Sequence, residues 1–190
     1  MTACYQTGVI HGRFQVLHND HLRYLLAGKA LCDHLVVGIT NPDPTLSRDE
    51  QADPKRNSVL ANPLTYFERL MLVRRSLEEA GISPSEFSVV PLPINLPELY
   101  RYYTPVEAVF FLSIYDDWGR RKLGYFRELG LKTHVLWEVH PEEKGLSATE
   151  VRKRMMEGKA WEAMVPAGVA ALLKEWGIPA RLRDLARKEG

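Results

Sequence analysis

A β-branched apolar run, Thr7-Gly8-Val9-Ile10-His11, ends in Gly12-Arg13, and after a four-residue spacer the stretch His18-Asn19-Asp20-His21-Leu22 begins a new periodicity. This junction constrains the fold more than any other stretch. The first run reads as a buried strand stopped by glycine. Leu22, Leu25, Leu26 and Ala30 then fall on one stripe of a helix. His18 and His21, three apart, share a face at the mouth of that helix. A helix N-terminus offers unpaired N–H groups and the positive end of the dipole. Arg13, His18, His21 and these bare amides therefore converge beyond a strand end, where phosphate is well held.

The remaining chain repeats the alternation of strand and helix. Apolar runs at 34–40, 87–92, 108–112 and 132–137, separated by amphipathic stretches, predict a five-stranded parallel sheet covered on both faces. Pro91 and Pro93 are expected to stop the third run. Thr65 and Glu68 form a capping box for a helix reaching Gly81, with Phe67, Leu70, Met71 and Leu77 expected inside and Arg69, Arg74 and Arg75 on its solvated face. Residues 95–103 read as a helical turn at the carboxyl edge of the sheet. Residues 41–62, proline-rich and charged, follow a strand's carboxyl end and read as either a solvated loop or an active-site lid. With 190 residues and 45% apolar content, one domain spanning 1–190 is expected: an α/β core over 1–145 with a helical segment, 146–190, packed on it.

Composition narrows the partners. A net charge of +1 gives no whole-molecule attraction to nucleic acid or to an anionic membrane, so an anionic ligand must be held locally. Two cysteines, Cys4 and Cys32, make neither a disulfide framework nor a zinc site, and the opening residues lack the pattern of a signal peptide. A cytoplasmic protein without membrane or nucleic-acid partners is the expectation.

Ser147 and Glu150 make a second capping box, with Thr149 and Arg152 on the first turns behind it. Two helix N-termini, each carrying polar and cationic side chains, suit several phosphates at once. Phosphoryl and nucleotidyl transfer ask mainly for in-line positioning and for donors aimed at developing charge. There is no Walker A sequence, no Ser-centred nucleophile elbow and no His-Glu-x-x-His signature. Asp116 and Asp117 read as helix caps or as contacts to magnesium or a base. His11, His34, His134 and His140 are read as structural.

Gly12-Arg13-Phe14-Gln15-Val16-Leu17-His18-Asn19-Asp20-His21 resembles the Gly-Arg-Phe-Gln-Pro-x-His-x-Gly-His signature of the HxGH nucleotidyltransferase superfamily, and Ser147-Ala148-Thr149-Glu150-Val151-Arg152 resembles its Ser-x-Thr-x-x-Arg signature. Asn62-Pro63-Leu64-Thr65 with Glu68-Arg69, and Arg152-Lys153-Arg154-Met155 with Trp161 and Val165-Pro166, are similar to segments of archaeal-type nicotinamide-nucleotide adenylyltransferases. The resemblance implies a Rossmann-like, doubly wound fold and a homo-oligomer. It implies catalytic roles for His18, His21, Arg13 and Arg152, nucleotide contacts from Gly12, Phe14, Gln15, Ser147, Thr149 and Asp116, and acceptor contacts from Asn95, Tyr100 and Trp118. No resident metal ligand is implied. Magnesium would act with ATP or another nucleoside triphosphate, and the acceptor would be a small phosphorylated molecule, NMN or nicotinate mononucleotide first. Three departures bear on substrate. Asp20 replaces a glycine that lies close to the nucleotide, Ser113-Ile114 replaces a Gly-Asn or Gly-Asp of the base pocket, and Asn95 lacks the aspartate expected before Ile94. Cytidylyl transfer from CTP to a phosphate- or phosphonate-bearing acceptor is therefore a second expectation, and a non-catalytic nucleotide sensor a third.

Overall fold

The computed structural model describes residues 4–43, 58–139 and 145–189. Five strands form one parallel sheet in the order β3-β2-β1-β4-β5: β1 (Tyr5–Gly12), β2 (Cys32–Thr40), β3 (Phe87–Leu92), β4 (Val109–Ile114) and β5 (Lys132–Glu138). The helices are α1 (Asn19–Lys29), α2 (Tyr66–Glu79), α3 (Asp117–Glu128), α4 (Ala148–Met156), α5 (Ala167–Glu175) and α6 (Ile178–Glu189). The direction of winding reverses between β1 and β4, which is where open α/β sheets bind ligands.

Alternation along β1 sends Ile10 to one face and Val9 and His11 to the other. Ile10, Val37, Ile39 and Phe111 pack with residues of α1, α2, α4, α5 and α6 in the larger core. Val9, Phe110 and Leu112 pack on Phe126 of α3 and on Tyr100 in the helical turn 97–102. β1 pairs with β2 through Gly12, yet pairs with β4 only at Gly8 and Val9. Beyond that point β1 and β4 part, and a crevice opens.

Several local expectations are corrected. Arg69 does not lie on a solvated face: it is 2% exposed, among the largest fully buried side chains. Phe67, expected inside, is 67% exposed, because α2 buries the stripe of Arg69, Leu72, Val73, Ser76 and Leu77 and Phe67 lies on its other side. Pro91 does not end β3 but pairs in register with Ile39. Its missing N–H is harmless because β3 is a sheet edge. Pro179 stands in the first turn of α6, where proline needs no N–H partner.

Candidate active site

The crevice is a cleft of about 1080 Å³ beyond the carboxyl ends of β1 and β4, closed on one side by the N-termini of α1 and α4. Arg13, His18, His21, Ser147, Thr149 and Arg152 all line it. The residues expected to hold phosphate are thus brought together from two segments more than a hundred residues apart.

His18 is the N-cap of α1, in extended conformation, and its main-chain N–H donates to Nδ1 of His21 at 3.3 Å. The two rings stack 3.7 Å apart at 24°. Burial, partly offset by the nearby Asp20 carboxylate, lowers His18 to about 4. Burial also takes His21 well below its ordinary value, helped by His18 and Arg13 beside it. Both imidazoles are therefore neutral at physiological pH and act as polar donors rather than fixed cations. His18 keeps Nδ1 without a partner among the described residues. Fixed positive charge comes from Arg13 and Arg152. The Arg152 guanidinium bonds to the Gln15 carbonyl and, at 3.2 Å, to Oγ1 of Thr149. Burial and the neighbouring Arg13 lower it only to about 10, so it stays charged.

The loop after β1 is held rigidly. Phe14 takes a left-handed φ of 53°, and its ring folds back so that a Cβ on Gly12 would come within 2.8 Å of it. The Gln15 amide is bonded twice to the main chain of Leu64, at 2.9 Å each way. Its side chain braces the loop, and Gln15 also lines the cleft. Arg69 donates to the carbonyls of Arg13, Thr40, Asn41, Pro42 and Thr65 and ties the ends of β1 and β2 to α2.

Asp20, which stands where the resembling signature has glycine, lines the cleft, and its Oδ2 accepts the N–H of Leu146 at 2.6 Å. A Cβ on Gly145 would lie 2.2 Å from the same oxygen. The first signature thereby fastens the segment leading into the second. Ser147 caps α4 by accepting from the N–H of Glu150 at 3.2 Å, while the Glu150 carboxylate turns to Arg154 rather than completing the box.

Toward the acceptor side the fit to expectation is looser. Trp118 lines the cleft beneath Nζ of Lys122, 4.5 Å from the ring centre. Asp116 caps α3 through Gly119. Tyr100 is 2% exposed, its hydroxyl donating to the Ile94 carbonyl at 2.6 Å, and belongs to the core rather than to a stacking platform. Asn95 lies outside the cleft lining, where Ile94 stands instead. Residues 44–57 of the candidate lid lie outside the described residues, and Ser58, Leu60 and Ala61 line the mouth beside them. Arg69, Lys122 and His11 were missed as site or scaffold residues. Only Lys122 carried a signal, as part of a basic helix next to the expected base pocket.

A family model described as cytidylyltransferase-like matches residues 9–154, which include both lined helix N-termini. The chain belongs to that family. This cytidylyltransferase-like chain is an enzyme of the nucleotidyltransferase class. It is 48% identical over 177 residues to a phosphonoformate cytidylyltransferase of Streptomyces viridochromogenes, covering 93% of this chain and 95% of the relative. It is 31% identical over 180 residues to a nicotinamide-nucleotide adenylyltransferase of Thermococcus kodakarensis, covering 94% and 88%. It also matches the crystal structure of a bifunctional NMN adenylyltransferase/ADP ribose pyrophosphatase from Francisella tularensis, with a TM-score of 0.70, 17% identity and 97% of this chain covered. The chain spans about half, 53%, of that bifunctional protein, and the likeness shows the fold. Among the described residues no helix is long and apolar enough to cross a membrane.

Proposed function

We propose that this nucleotidyltransferase moves a cytidylyl group from CTP to a phosphonate or phosphate oxygen of a small anionic acceptor. The acceptor oxyanion attacks the α-phosphorus, the bond to the β-phosphate breaks, and pyrophosphate leaves. No proton transfer or covalent enzyme intermediate is needed. Arg13, Arg152, His18 and the α1 and α4 amides would hold the triphosphate and meet charge developing at the α-phosphate, and His21 would orient His18. Preorganised donors of this kind are each worth about 10²–10³ in rate.

The observation that carries this reading is the 48% identity to a phosphonoformate cytidylyltransferase over nearly the full length of both chains. The retained phosphate cradle and the altered base and acceptor positions agree with it. Among the described residues no group of three His, Cys, Asp or Glu could hold a metal ion. We place magnesium with the triphosphate, as part of the co-substrate. A homo-oligomer belongs to the same reading and is checked by light scattering.

Pyrophosphate release measured with CTP and phosphonoformate tests the reading, with ATP and NMN as the competing pair. We expect turnover with the first pair. Turnover with ATP and NMN alone would restore the adenylyl reading that the relatives at about 31% identity support, and nucleotide binding without release from either pair would favour a sensor.

A further inference from the structure

His11 is the residue that neither the fold nor the phosphate cradle accounts for. It is 6% exposed, it lines the cleft at the point where β1 and β4 part, and its ring lies against Phe126, centroids 5.3 Å apart. Neither ring nitrogen has a partner among the described residues. A buried polar group left unpaired costs stability, and a leucine would fill the same apolar seat without that cost. Because His11 lines the cleft, a ligand bound there is in position to supply the partner that the described residues do not.

The surroundings indicate what kind of partner. His11 lies on the sheet face opposite the one that carries α1 and α4, so it looks at the far wall from the phosphate cradle. Lys122 lines that wall and is close enough to act electrostatically on His11. Trp118, one turn before Lys122 on α3, lines the cleft on the same wall. Asp20 is the one acidic residue among the described lining residues, and its carboxylate is spent on Leu146. Burial and Lys122 keep the His11 imidazole neutral, so it presents one donor and one acceptor rather than a charge.

We propose that His11 and Lys122 form the acceptor subsite, holding the second oxyanion group of a small phosphonocarboxylate-type acceptor across the cleft from the triphosphate. Lys122 supplies the charge, and His11 supplies the directed hydrogen bond that separates such an acceptor from a mononucleotide. The acceptor class rests on the cytidylyl reading above, whereas the position of the subsite rests on the orphaned ring.

The test is calorimetric titration of the full chain with phosphonoformate, alone and with a saturating non-cleavable CTP analogue, for wild type, His11→Leu and Lys122→Met. Affinity for phosphonoformate is expected to fall tenfold or more in each variant, while affinity for CTP changes less than threefold. His11→Leu is expected to melt at or above the wild-type temperature, which a structural histidine would not allow. Lys122→Met alters a partly exposed helical position and keeps the comparison meaningful if His11→Leu folds poorly. Unchanged phosphonoformate affinity in both variants, equal loss of CTP affinity, or no binding of phosphonoformate by wild type would overturn the proposal. Pyrophosphate release by wild type is read separately: binding that depends on His11 without turnover refutes the cytidylyl reading and leaves the subsite standing.

Discussion

Arg69 donates to five main-chain carbonyls drawn from the β1 loop, the end of β2 and its following turn, and the start of α2, and so joins three segments through one buried side chain. A guanidinium has the donors and the planar fork for this, and an ammonium does not. Arg69→Met is expected to cost about 3–5 kcal/mol, since charged hydrogen bonds removed from buried acceptors cost about 1.5–3 kcal/mol each and do not add fully. The melting temperature would drop by roughly 10 °C, with Arg69→Lys rescuing little. Calorimetric melting of both variants checks this. His18 makes an opposite kind of statement. Its folded-state value of about 4 lies below the ordinary 6.5, so the unfolded chain takes up its proton first. Stability from this group is complete above pH 6.5 and is lost as pH falls from there toward 4, with His21 and His11 shifted in the same direction. Bound triphosphate favours the charged ring, so tripolyphosphate binding at pH 5.5 is expected to take up protons. Titration in two buffers of different ionisation heat would reveal none if His18 lies off the phosphate path. The placement of His18 and Arg152 was legible because local spacing puts both on helix ends, and that of Arg13 because it directly follows a strand. Arg69 was not, because its partners come from three loops and its place on a helix looks like any solvated arginine.

At the scale of elements, the strand and helix order could be read from periodicity, whereas the details depended on neighbours. Pro91 is tolerated because β3 lies at an edge, and sequence does not say which strand that is. Phe67 lost its expected burial because α2 turned its stripe toward Leu72 and Val73. One contact at the cleft also joins two elements: Asp20 at the start of α1 holds the N–H of Leu146 just before α4. Both helix ends must present their amides to one triphosphate, and a displacement near 1 Å can cost about 10²-fold in rate. Asp20→Ala is accordingly expected to lower pyrophosphate release about 10-fold or more, while Asp20→Asn, which keeps an acceptor oxygen, retains most of it. An Asp20→Gly variant with increased release would overturn this assignment and favour the sensor reading. The α2 end is secured by Thr65, whose Oγ1 accepts from Glu68, while the Glu68 carboxylate also pairs with Arg181 of α6 at 2.7 Å. Thr65→Ala is expected to cost about 1 kcal/mol, measured by denaturant midpoint.

For the whole molecule, a net charge of +1 conceals a cleft lined by Arg13, Arg23, Lys122, Arg152 and Lys153. Low-dielectric walls concentrate that potential while the rest of the chain carries more acidic than basic residues, which suits a small polyanion and gives a long nucleic acid nothing to follow. CTP affinity is therefore expected to weaken about tenfold between 50 and 500 mM salt as screening shortens the reach of these charges. A melting temperature nearly insensitive to the same change would separate binding from folding. Ligand choice can be read the same way. A nucleotide present at about 100 times its dissociation constant adds about 2.7 kcal/mol of stability. CTP should raise the melting point by several degrees and ATP by much less. The doubly wound architecture was visible in the alternation of apolar runs. The base and the acceptor were visible only as a second expectation, read from departures at positions 20, 94–95 and 113–114, because side chains such as His11 look structural until the strands are seen to part.

Asp20 and Gly145 also depend on each other. In this geometry a side chain at position 145 would collide with the Asp20 carboxylate, so that the latch to Leu146 tolerates only glycine beside it. Gly145→Ala should therefore be harmful in the native chain and nearly silent in an Asp20→Gly background.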